Sequence, residues 1–128
     1  MIDNISTESA EQIALFRWAD MQRGKYPELE IMYHVPNGGA RHIATAARMK
    51  AEGVKPGVPD ICLPVARHGY HGLYIEMKRC AGGRVSPAQT SYIGRLRLQG
   101  YAVAVCYGWE AASVVIRRYM DDAAGEDI

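Results

Sequence analysis

Two stretches decide the fold: Gly57-Val58-Pro59-Asp60-Ile61-Cys62-Leu63-Pro64-Val65 and, beyond a connecting loop at Arg67–Gly72, Leu73-Tyr74-Ile75-Glu76-Met77-Lys78-Arg79. The first is a short apolar run entered through Pro-Asp, and the second alternates apolar and polar residues with period two. Both read as strands, Asp60–Val65 and Leu73–Arg79, close enough in sequence to pair as a hairpin. Side chains alternate faces along a strand, so Leu73, Ile75 and Met77 point into one apolar layer while Tyr74, Glu76 and Lys78 point to the other. Pairing the two strands brings Asp60 and Glu76 toward the same end. Two carboxylates held together are costly unless a cation lies between them, and a hard divalent ion such as Mg²⁺ suits such a pair. Lys78 beside them can orient water or offset negative charge developing at phosphorus. By itself a Glu-x-Lys strand is an ordinary half-exposed strand with a weak ion pair; the combination with Pro59-Asp60 makes it specific.

Outward from this hairpin, elements alternate. Thr7–Arg23 reads as a helix, capped by Ser6 or Thr7 and stopped by Gly24, with Ala14, Trp18 and Met21 as its apolar stripe and Ile13 and Phe16 beside it. Leu29–Val35 reads as a strand ended by the turn Pro36-Asn37-Gly38-Gly39, and Ala40–Glu52 as an Ala-rich helix ended at Gly53. Ser86-Pro87-Ala88-Gln89 is a capping box opening a helix to Gln99. Tyr101–Tyr107 is a nearly continuous apolar strand, expected at the centre of a sheet, and Trp109–Met120 closes with a helix. The order α-β-α-β-β-α-β-α predicts an α/β fold, a mixed β-sheet flanked by helices in a single domain over residues 1–120, followed by an acidic flexible tail at 121–128.

Composition agrees with one globular domain: 128 residues, 48% apolar and 23% charged, without an apolar run long enough to span a membrane. The three cysteines, Cys62, Cys80 and Cys106, are widely spaced and odd in number, which argues against a disulfide framework and, with the polar, acidic start of the chain, points to the cytoplasm. The net charge of +1 hides a division. Residues 1–40 sum to −3, residues 41–97 to +7 and residues 98–128 to −3. A central basic block is what a polyanion-binding face needs, and the few acids within it include Asp60 and Glu76. His68-Gly69-Tyr70-His71 has no Cys or acid at zinc spacing. No Gly-x-Ser-x-Gly elbow, P-loop or dinucleotide fingerprint occurs.

The string Pro-Asp…Glu-x-Lys resembles the signature of the PD-(D/E)xK nuclease superfamily. Within it the chain resembles the VRR-NUC family, virus-type replication-repair nucleases, through Pro36–Gly39, Gly53–Asp60, Leu73–Arg79, Ser86–Gln89 and Gly100-Tyr101, from about residue 8 to residue 120. The resemblance implies a restriction-endonuclease-like core and a Mg²⁺- or Mn²⁺-dependent endonuclease that cuts DNA to leave a 5′ phosphate. It implies Asp60 and Glu76 as metal ligands, helped by the Met77 carbonyl, Lys78 as the catalytic lysine, and a first-helix glutamate completing the site. Glu11 is the expected one, since Leu15 at i+4 and Trp18 at i+7 put it on the packed side; Glu8 is the alternative. Gln89 resembles the glutamine that follows the Glu-x-Lys strand, a role compatible with its capping box, and Tyr92 faces the same side. Asn37, Gly38, Gly39 and Arg41, at a turn and helix start suited to phosphate, and Lys50, Lys55, Arg79 and Arg84 are the expected nucleic-acid contacts. Stand-alone relatives in phages and bacteria further suggest a homodimer acting on branched DNA, four-way junction or flap. The competing reading is a non-catalytic nucleic-acid-binding module that kept the fold; the acids inside the basic block argue against it.

Overall fold

A computed structural model describes residues 7–36 and 43–121. The glycine-rich turn with Asn37, Gly38, Gly39 and Arg41, and most of the acidic tail (122–128), lie outside the described residues. The elements run α1 (Glu8–Met21), a 3₁₀ helix (Pro27–Ile31), β1 (Tyr33–His34), α2 (Ile43–Ala51), β2 (Ile61–Leu63), β3 (Leu73–Lys78), α3 (Pro87–Leu98), β4 (Ala102–Tyr107) and α4 (Trp109–Met120). The strands form a mixed four-stranded sheet in the order β1-β2-β3-β4, and the order of elements matches the sequence reading.

β2 and β3 form the expected antiparallel hairpin, with Ile61 opposite Ile75 and Leu63 opposite Leu73. β3 and β4 run parallel through the α3 crossover, from Leu73 opposite Ala102 to Lys78 opposite Tyr107. Leu73, Ile75 and Met77 point to one face, into a core shared with Leu15 and Ala19 of α1 and with Ala112, Ile116 and Tyr119 of α4. The buried Tyr119 hydroxyl donates to the Val65 carbonyl at 2.6 Å, satisfying a polar group inside that core. α3 covers the other face with the buried Ile93, and Arg97 donates to the Val103 carbonyl of β4 at 2.9 Å.

Three local expectations are corrected. Leu29–Val35 is not one strand: Tyr26, Leu29 and Met32 are all buried at intervals of three, the period of a 3₁₀ turn, and Pro27 presets its first residue, leaving only Tyr33–His34 in the sheet. β4 lies at the sheet edge, not its centre; its apolar run is explained by helices on both faces. The packed face of α1 is Glu11-Leu15-Ala19, at i, i+4 and i+8, whereas Met21 and Ile13 are exposed. The inward stripe is therefore rotated from the one expected through Ala14, Trp18 and Met21.

Candidate metal and phosphodiester site

The hairpin register builds the site. One step beyond the Ile61–Ile75 pair, Asp60 comes opposite Glu76. The Asp60 carboxylate is fixed there by the Met77 backbone N–H, which donates to its Oδ2 at 2.9 Å. On the backbone side, the Asp60 carbonyl accepts from the Val35 N–H and from His34 Nδ1, the latter at 2.9 Å. A carbonyl can only accept, so the His34 proton resides on Nδ1.

Glu76 and Lys78 share the β3 face that α3 covers, and both are almost fully buried, 2% and 5% exposed. Lys78 Nζ lies 3.2 Å from Glu76 Oε2 and donates to Gln89 Oε1 at 3.0 Å. Gln89 Nε2 donates to the same Glu76 Oε2 at 2.9 Å. Gln89 Oε1 also accepts from the Ser86 N–H at 2.9 Å, and the Ser86 hydroxyl accepts from the Gln89 N–H at 3.1 Å, completing the capping box. One amide thus caps α3 and clamps the Glu76–Lys78 pair. Two glycines permit this closeness. A Cβ on Gly57, whose φ is +87°, would sit 2.3 Å from the Ala88 carbonyl oxygen at the start of α3, and one on Gly83 would sit 2.9 Å from Lys78 Cβ.

The electrostatics leave one oxygen over. Glu76 Oε2 takes both donors, while Oε1 is buried with no hydrogen-bond partner. Burial first, then the neighbouring Asp60 charge, pushes the Glu76 carboxyl up to about 7, against the opposing pull of Lys78. An orphaned buried carboxylate oxygen beside a second carboxylate is the donor set a hard divalent cation takes, and unshared polar atoms of this kind call for an explanation. Asp60, Glu76 and Met77 open onto a cavity of about 600 Å³, also lined by Glu8, His34 and Gln89. The described residues hold no group of three His, Cys, Asp or Glu side chains gathered tightly enough to bind a metal.

The structure divides the remaining expected residues. Glu11 is buried on the packed side of α1 as expected, but it does not line the cavity. Its Oε1 accepts from the Trp109 N–H at 2.8 Å, and Cys80 Sγ lies 4.0 Å from its Oε2. Glu11 therefore satisfies the first turn of α4, whose N-cap, Gly108, has no side chain to do so. Glu8, one helical turn earlier, lines the cavity in its place and adds its charge to the field that raises Glu76. Tyr92 lies outside this cavity and lines a neighbouring hollow. Lys50, Lys55, Arg79 and Arg84 are all exposed. His34, not singled out in the sequence, also lines the cavity of Asp60 and Glu76. The signal lies in the strand register, which pairs His34 with Ile61 and so places it next to Asp60.

Comparison with known proteins identifies the family. The family model of the VRR-NUC domain matches residues 6–110, a segment that contains Asp60, Glu76, Lys78 and Gln89. A solved structure described as a VRR_NUC domain protein is similar with a TM-score of 0.79 and 33% identity, over 91% of this chain and 90% of its own. No curated protein matches the chain. With its matched segment running from α1 into the start of α4 and its hairpin intact, this chain belongs to the VRR-NUC family, and its domain has a nuclease fold.

Proposed function

We propose that the protein is a divalent-metal-dependent nuclease that hydrolyses DNA phosphodiester bonds, with Asp60 and Glu76 holding the ion. The observation that carries this reading is the unpartnered, buried Glu76 Oε1 on a residue that shares its cavity with Asp60 and feels the Asp60 charge. A Mg²⁺ or Mn²⁺ ion bound there would lower the pKa of water and offset charge at phosphorus. The chain's own residues do the rest. Met77 N–H and the His34–Asp60 backbone contact hold the Asp60 carboxylate in one orientation. Gln89 locks Glu76 so that Oε2 is occupied and Oε1 is presented. Lys78, a buried ammonium 3.2 Å from Glu76, is the residue we assign to orienting the attacking water and donating to a phosphoryl oxygen as charge develops there. Glu8, on the cavity wall, is the first-helix acid best placed to assist through water.

A binder that had lost catalysis would have no use for two carboxylates on a cavity wall with a buried lysine beside one of them, because carboxylates repel the phosphate backbone. The test is cleavage of end-labelled DNA with and without Mg²⁺ or Mn²⁺, on four-way junction, flap, single-stranded and linear duplex substrates. Metal-dependent cleavage that Asp60→Asn abolishes while DNA binding persists supports the reading. Equal cleavage by Asp60→Asn, or none by the wild-type protein on any substrate, overturns it. Preference for the branched substrates would further identify a structure-specific endonuclease.

A further inference from the structure

The proposed catalytic cavity presents Glu8, Asp60 and Glu76, and the buried Lys78 is already engaged by Glu76 and Gln89. Among the described residues no lysine or arginine lines that cavity, so the side-chain cations that hold the strand stand outside it. Immediately next to it lies a second hollow of about 390 Å³, which shares Pro56 and Ala88 as walls with the first. Its other lining residues are Lys55 from the loop before β2 and Ser91, Tyr92 and Arg95 from α3. Ala88, Ser91, Tyr92 and Arg95 recur at i, i+3, i+4 and i+7, so one face of α3 forms the floor, with Lys55 facing it. Lys55 and Arg95 are exposed, and among the described residues no carboxylate pairs with either. The Tyr92 ring is half-buried and stacks on no other aromatic ring among the described residues. Two unpaired cations, a hydroxyl and an aromatic face around a hollow of this size form a set that recognises one phosphate and the base attached to it.

We propose that this hollow is a strand-binding subsite: Lys55 and Arg95 hold the phosphate adjoining the one to be cut, and Tyr92 stacks on its base. The strand would cross the Pro56–Ala88 saddle between the two cavities. The close approach of Gly57 to Ala88, which leaves no room for a Cβ, brings the two cavities together at that saddle. The proposal rests on the nuclease reading but is tested apart from it.

The experiment is fluorescence anisotropy of a labelled single-stranded DNA 20-mer in EDTA, over a salt series, with cleavage measured on the same proteins in Mg²⁺. Lys55→Gln combined with Arg95→Gln, both on exposed side chains, should flatten the slope of log affinity against log salt by about 1.4, the share of two phosphate contacts on a single strand. Tyr92→Ala should weaken binding by roughly five- to a hundredfold, the range for a stacked base, while Tyr92→Phe, which keeps the ring, binds as wild type. A single abasic site moved along the oligonucleotide should abolish the Tyr92→Ala effect at one position. An unchanged salt slope in the double variant overturns the subsite, as does Tyr92→Phe binding as weakly as Tyr92→Ala. Wild-type protein that binds with these features yet never cleaves overturns the nuclease reading and leaves the subsite standing; wild type that binds no DNA overturns both.

Discussion

Glu76 makes the stability of the metal-free protein depend on pH in an unusual direction. Its carboxyl is raised from 4.5 to about 7, by burial and by Asp60. In the unfolded chain it ionises near its ordinary value, whereas in the folded chain it holds its proton until about pH 7. Between these limits the folded state binds more protons than the unfolded one, so stability falls as pH rises, the reverse of the usual carboxylate behaviour. The contribution is greatest below pH 4.5 and fully lost above 7. A shift of this size corresponds to on the order of 3 kcal/mol. A divalent ion at Asp60 and Glu76 binds the ionised form, so it should restore stability where the apo protein has lost it. At a hundred times its dissociation constant the ion contributes about 2.7 kcal/mol. The assay is urea unfolding in EDTA at pH 5, 6, 7 and 8, repeated with Mn²⁺, for wild type and Glu76→Gln. The wild type should lose stability from pH 5 to 8 in EDTA and regain it with Mn²⁺ at pH 8. Glu76→Gln should lack both responses. Superimposable pH profiles for the two proteins, or no Mn²⁺ effect on the wild type, would refute the assignment of the buried carboxylate.

Lys78→Met should retain Mn²⁺ stabilisation but slow cleavage by about a hundredfold or more, measured under single-turnover conditions. Glu11→Gln keeps an acceptor for the Trp109 N–H but removes the charge at the α4 N-terminus, so it should cost roughly 0.5–1 kcal/mol in urea unfolding and leave cleavage within a few-fold, whereas Glu8→Gln should weaken Mn²⁺ binding by calorimetry. Gly57→Ala must move the Ala88 carbonyl and adopt a positive φ, so it should lower stability by about 1 kcal/mol or more and slow cleavage by displacing Gln89.

The hairpin and the placing of its charged side chains were legible because both are local. Period-two alternation alone puts Glu76 and Lys78 on one face, and a short loop forces β2 to pair with β3, so Asp60 arrives opposite Glu76. The capping box likewise reads directly from Ser86-Pro87-Ala88-Gln89, and its second duty on Glu76 and Lys78 follows once α3 covers that face. Glu11 shows where local reading stops. Its burial on α1 was foreseeable, but its use was set by Gly108, nearly a hundred residues away, which leaves the start of α4 without a side-chain cap. That distant demand takes Glu11 and leaves Glu8 to the cavity. The 3₁₀ turn at Pro27–Ile31 was hidden for a related reason: Leu29 and Met32 suit a strand by composition, and only their shared burial with Tyr26 reveals the period of three.

The most direct measurement is the anomalous difference density of a crystal soaked in Mn²⁺. A peak within coordination distance of Glu76 Oε1 and an Asp60 carboxylate oxygen is the expected result. Density at some other site, or none at this pair while Mn²⁺ supports cleavage, would contradict the assignment of the metal to these two carboxylates.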